Sequence, residues 1–66
     1  MSTLSENLQT KRKAAGLTQL ELARKARVTP QTVSNIELGL VRKPMPLTIR
    51  ALAKALGVSE KELSDA

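Results

Sequence analysis

Residues 17–37 read LTQLELARKARVTPQTVSNIE, and they spell out two short helices with three residues between them. The first has a start signal, Thr18 followed three positions on by Glu21, in which a hydroxyl and a carboxylate satisfy each other's free backbone amides. It covers Gln19 to Ala26, with Leu22, Ala23 and Ala26 as a narrow apolar stripe that lets another element approach closely. The second opens on Thr29-Pro30, a hydroxyl cap before a proline whose missing N–H costs nothing at the first helical position. It runs from Pro30 to about Leu38, turns Val33 and Ile36 inward, and is stopped by Gly39. The gap, Arg27-Val28-Thr29, has the length of the turn in a helix-turn-helix, where two short helices cross at a wide angle and the second is presented outward. A generic helical hairpin, with Ala23 only a good helix former, is the plainer reading of the same residues.

The same punctuation extends outward from this pair. A second start signal, Thr3 to Glu6, opens a helix from Leu4 to Ala15, with Leu4, Leu8, Arg12 and Ala15 on one stripe and Gly16 behind it. After Gly39, the segment Arg42-Lys43-Pro44-Met45-Pro46 reads as a loop, because two prolines two residues apart do not sit inside a helix. A fourth helix takes Leu47 to Leu56, with Ala51, Leu52, Ala55 and Leu56 inward and Gly57 as its cap. A third start signal, Ser59 to Glu62, begins a last turn or two over Glu60 to Ser64 that holds Leu63 inward. No segment alternates with period two, so the expectation is an all-α, five-helix domain over residues 1–66 with its helix-turn-helix at about 18–38.

Composition limits what such a domain can do. The chain has 66 residues, no cysteine, no histidine and no aromatic residue, and a formal charge of +5. A domain this small buries only about 60% of its unfolded surface, which leaves little room for an enclosed catalytic cleft. Without Cys or His there is no disulfide, thiolate or imidazole chemistry and no structural zinc, so neither a metal nor another cofactor is expected. Ser34 or Ser59 with a lysine lacks a recognisable oxyanion loop, and no enzyme is expected. Without rings to stack unpaired bases, a nucleic-acid partner should be double-stranded. No apolar run approaches the roughly 18 residues of a membrane span and no charged-then-apolar leader opens the chain, so a soluble, cytoplasmic protein is expected. The charge is also unevenly placed: residues 11–54 hold ten basic and two acidic residues, a net of +8, between acidic ends. Spacing, caps, charge and length together favour a DNA-binding helix-turn-helix.

The residues Leu17-Thr18-Gln19-Leu20-Glu21-Leu22-Ala23 and Val28-Thr29-Pro30-Gln31-Thr32-Val33-Ser34-Asn35-Ile36-Glu37 resemble the Cro/repressor-type (XRE-like) helix-turn-helix family of lambdoid phage repressor N-terminal domains and Cro proteins. Leu47 to Ser59 is similar to that family's fourth helix and the start of its fifth, so the resemblance covers nearly the whole chain. It implies a compact lambda-repressor-like fold and sequence-specific binding of double-stranded DNA, as a repressor or Cro-like regulator seated on an operator. The third helix would enter the major groove, the docking described for that family. Gln31, Thr32 and Asn35 would then face base edges, since Gln or Asn can bridge adenine N6 and N7 and a threonine methyl can touch a thymine methyl. Thr18 and Gln19 would meet a phosphate at the second helix's N-terminus, with Ser34 as a further backbone contact. Arg42 and Lys43 match basic positions along the DNA backbone, where plain solvation is the simpler reading. Arg12 and Glu37 match an interhelical ion pair, and an inward Arg needs such a partner.

Three departures from the pattern bear on function. Arg27 stands where glycine is common because the backbone there is usually left-handed, so either strain of about 1 kcal/mol is tolerated or the turn differs. Pro30 replaces a polar residue that often reads a base. Leu38, Leu40 and Val41 crowd a loop that is usually polar, either packing under the fourth helix or forming a subunit contact. The second option implies a weak homodimer on a palindromic operator. It also sustains a rival function, a protein-interaction module of antitoxin-like or coactivator-like type acting through the apolar 38–41 loop.

Overall fold

The computed structural model describes residues 3–64. It contains five helices and, among the described residues, no strand: α1 (Leu4–Ala14), α2 (Gln19–Ala26), α3 (Pro30–Glu37), α4 (Pro46–Leu56) and α5 (Glu60–Leu63). All three hydroxyl–carboxylate start signals form closed capping boxes, Thr3 with Glu6, Thr18 with Glu21 and Ser59 with Glu62. Thr29 caps α3 by accepting from the Thr32 amide at 3.1 Å.

Boundaries shift by one residue at four places, each for a local reason, and Ser64 is the extended C-terminal cap of α5 and not its last residue. Ala15 and Leu38 are the C-terminal caps of α1 and α3 and not their last turns, and Ala15 is exposed and not part of the inward stripe. Pro46 belongs to α4 and not to the loop, because at the first helical position a proline forfeits no hydrogen bond. Met45 before it is extended, at φ −58° and ψ 145°, as a residue preceding proline is driven to be.

One apolar cluster draws on every helix. Leu8, Leu22, Val33, Leu52 and Leu63, one each from α1 to α5, are fully enclosed. α2 packs on α3 and α4, and α1 on α3 and α5. The buried face of α4 differs from the expected one: Leu52, Ala53 and Ala55 are buried while Ala51 and Leu56 are half-buried. Contact with α2 and α5 together widens that face and brings in Ala53.

Four helix ends close alike, with an amide reaching back five residues: Leu17 to Arg12, Val28 to Ala23, Leu40 to Asn35 and Val58 to Ala53. This closure needs a left-handed residue one position earlier. Glycine fills it three times, and Arg27 the fourth, at φ 59° and ψ 41°. The strain is therefore present and the turn has its usual shape. Arg27→Gly should raise the stability by about 1 kcal/mol, read as a higher melting temperature by circular dichroism. A lower one would contradict the strain assignment.

Candidate nucleic-acid interface

α3 has two faces with different fates. Val33, Ile36 and Glu37 are buried, while Gln31 is exposed and Thr32, Ser34 and Asn35 are half-exposed. Gln31 and Asn35 are one helical turn apart, and the Gln31 Nε2 donates to Asn35 Oδ1 at 2.9 Å. The bond leaves Gln31 Oε1 and the Asn35 amide nitrogen with capacity to spare, an acceptor beside donors. The hydroxyls of Thr32 and Thr29 share a 2.8 Å hydrogen bond, which holds the Thr32 side chain at the start of the helix.

At the start of α2, the Thr18 hydroxyl accepts from the Glu21 amide at 3.0 Å and the Glu21 carboxylate accepts from the Thr18 amide at 2.9 Å. These bonds hold the Glu21 carboxyl below its usual range, the backbone bond first and the hydroxyl second. Gln19 behaves differently from the expectation that its amide is aimed outward. Its Nε2 donates to Glu37 Oε1 at 3.0 Å, so one N–H is committed internally and the second remains.

Glu37 is the hub of this arrangement. Its side chain is almost wholly enclosed, at 1% exposure, in the last residue of α3, where the helix dipole disfavours negative charge. Arg12 offsets both penalties: its Nε donates to Glu37 Oε2 at 2.6 Å and its Nη2 to Glu37 Oε1 at 3.0 Å, a two-pronged grip. The remaining prong, Nη1, donates to the Leu17 carbonyl at 2.8 Å. The Ser5 hydroxyl donates to the Glu37 carbonyl, satisfying an acceptor that α3 leaves open at its end. Burial pushes the Glu37 carboxyl upward, but the hydrogen bonds from Arg12 and Gln19 and the Arg12 charge outweigh it, and the net direction is downward. The bond to Glu37 correspondingly raises the Arg12 guanidinium against its partial burial.

One carboxylate thus ties the ends of α1 and α3, the following loop and the start of α2 into one frame. Gln19, which donates to the carboxylate, and Ser5, which donates to the Glu37 backbone carbonyl, were not legible as partners, because they stand 18 and 32 residues from Glu37 in sequence and neither spacing has a local signature. Asn7 was missed in the same way; its Nδ2 donates to the carbonyls of Leu63 and Ser64 and pins α5 to α1.

The loop between α3 and α4 carries Arg42 and Lys43, both exposed. Beside them Leu38, Leu40, Met45 and Leu47 are 69, 72, 69 and 68% exposed, with Val41 at 37%. Packing under α4 is therefore not the role of Leu38 or Leu40.

The sequence profile of the helix-turn-helix family matches residues 8–63, which spans α2, the turn, α3 and most of the core. The chain belongs to this family. Its five helices and the motif of residues 17–37 place it with the Cro/repressor (XRE) type and the lambda-repressor-like fold. It is similar to Repressor protein C of Rhizobium phage 16-3, at 38% identity over 63 residues. That alignment takes in 96% of this chain and 23% of the phage protein, so the chain spans about a quarter of that relative's length.

Proposed function

We propose that this helix-turn-helix domain binds double-stranded DNA in a sequence-specific manner and acts in transcriptional regulation, by occupying an operator with α3 in the major groove. The observation that carries this reading is the two-sided character of α3. Its inner side is fixed by Val33, Ile36 and Glu37, while its outer side offers Gln31, Thr32 and Asn35 on a rigid support. Similarity to a phage protein named a repressor supports regulation by occupancy.

In this reading Gln31, Thr32 and Asn35 read bases. Thr18, the free amide hydrogen of Gln19 and the first backbone N–H groups of α2 hold a phosphate, with Ser34 contributing a backbone contact. Arg42 and Lys43 add affinity without sequence information. Arg12 and Glu37 keep the two recognition elements in register.

Salt tests the phosphate part of this assignment. Log K should fall steeply and linearly with log salt, and Arg42→Ala or Lys43→Ala should each make the slope shallower by about 1 while weakening all sequences alike. Fluorescence anisotropy on a labelled duplex measures both. A slope near zero would favour the rival reading, a protein-interaction module gripping a partner through Leu38, Leu40 and Val41.

The exposed apolar residues of 38–47 also support assembly on DNA, since patches of this kind mark contact surfaces. Two copies meet near this loop and the C-terminal helix, on half-sites about 34–36 Å apart along a palindrome. Sedimentation with a palindromic duplex should give two proteins per duplex; one per duplex would count against the dimer.

A further inference from the structure

Much of the positive charge has no part in the proposed DNA contacts. Arg12 faces Glu37, Lys11 stands 3.9 Å from Glu62, and Arg50 stands 3.5 Å from Glu60. Arg42 and Lys43 are assigned to phosphates. Three further cations, Lys25, Arg27 and Lys54, ring a groove of about 480 Å³ between the last turn of α2 and the C-terminal half of α4. Its remaining lining is Ala26, Ala51 and Ala55, so the groove has a floor of methyl groups and a rim of positive charge.

No carboxylate among the described residues lies within ion-pair distance of the three rim cations. The acidic side chains among the described residues are engaged elsewhere: Glu6, Glu21 and Glu62 in capping boxes, Glu37 on Arg12, and Glu60 on Arg50. Lys25 and Lys54 also complement the negative ends of α2 and α4, which explains why cations are tolerated there. Arg27 is different. It lies past the end of α2 in a left-handed backbone that glycine would adopt without strain, and strain of this kind gathers at functional surfaces.

We infer that the Lys25–Arg27–Lys54 groove is a docking site for an acidic segment of a partner protein, whose carboxylates meet the rim while a small apolar side chain rests on the alanine floor. The floor favours a peptide over a nucleic-acid backbone, because an aliphatic side chain buries more apolar surface against three methyl groups than a sugar–phosphate chain does. Along α2 the groove is offset from the proposed phosphate contacts, whereas Arg27 lies in the turn, four residues before Gln31. Thr18 and Gln19 lie at the start of α2, and Lys25 lies six residues further along, about 9 Å at helical rise. The inference does not depend on the DNA reading.

The test uses the whole chain and a short labelled peptide of alternating glutamate and leucine, followed by anisotropy at low salt without DNA. The peptide should bind, and the triple reversal K25E/R27E/K54E should weaken it on the order of tenfold, from three exposed charge contacts. Lys13→Glu, which removes an exposed cation elsewhere, should change it less than about twofold. Arg27→Gly should weaken the peptide about two- to fivefold while the melting temperature rises, a split that a merely structural residue would not show. Should the triple variant fail to fold, Arg27→Gly and Lys54→Ala carry the test. No binding by the unaltered chain, or equal loss with Lys13→Glu, overturns the site. So does a triple reversal that weakens binding to a labelled duplex and leaves the peptide unaffected, since the surface would then belong to DNA.

Discussion

Glu37→Gln should lower the unfolding free energy by about 3 kcal/mol, the lower end of what breaking a buried ion pair costs. The lower end applies because the Arg12 side chain is 12% exposed and can regain some water. Stability per residue puts a chain of this size at roughly 3–10 kcal/mol in total, so the loss is a large fraction and the melting temperature should drop by many degrees. The substitution keeps the shape of the side chain and removes its charge, leaving the Arg12 guanidinium without its counter-ion. Replacing both partners by apolar residues, as in R12M/E37L, should cost much less than Glu37→Gln alone. Base preference should be unchanged, because Glu37 points into the frame and not toward the outer face of α3.

The same pair sets the behaviour in acid. The Glu37 carboxyl is depressed in the folded state, whereas in the unfolded chain it lies near about 4.3. Its contribution to stability is thus complete above that value and is lost as pH falls through the lower, folded value. Glu21 and Glu62, depressed by their capping bonds, act in the same sense. The protein should lose stability as pH falls below the usual carboxylate range, and Glu37→Gln should show a shallower decline because only the exposed caps remain. Urea titrations between pH 3 and 7 decide this; parallel pH profiles would mean that the pair contributes nothing.

Gln31→Ala and Asn35→Ala should each cost about 1–3 kcal/mol in binding a preferred duplex, with the preference for adenine lost at the base each one reads. Their effects should not add. Gln31 holds Asn35 through the 2.9 Å amide bond, so removing either also releases the other. A coupling of about 0.5 kcal/mol or more in a double-mutant cycle is expected. Additive losses would mean that the bond breaks when DNA binds. Arg42→Ala provides the contrast, weakening every sequence alike and leaving the preference intact.

Most of the fold was legible because the chain marks its helix boundaries with side chains that act locally. A Thr or Ser three residues before a Glu, a proline after a threonine, and glycine after an apolar run each settle a boundary without reference to anything distant. The structure departs from the expectation where a local signal admits two readings or where tertiary packing decides. Pro46 starts α4 because an entering proline is harmless, and Ala53 is buried because α4 is covered on two sides. The candidate site was legible in the same measure. The outward register of Gln31, Thr32 and Asn35 follows from the inward Val33 and Ile36, but the bond between Gln31 and Asn35 and the link from Gln19 to Glu37 depend on chosen rotamers. The basic groove was invisible for a stronger reason. Lys25, Arg27 and Lys54 come from two helices, and only the crossing of α2 and α4 over small side chains gathers them.

Selection of bound sequences from a random duplex pool tests base recognition by α3. The expected result is a palindromic motif with adenine preferred at fixed positions of each half, and loss of that preference with Gln31→Ala in a protein that still folds. A pool that stays featureless, or a motif that survives Gln31→Ala and Asn35→Ala unchanged, would contradict it.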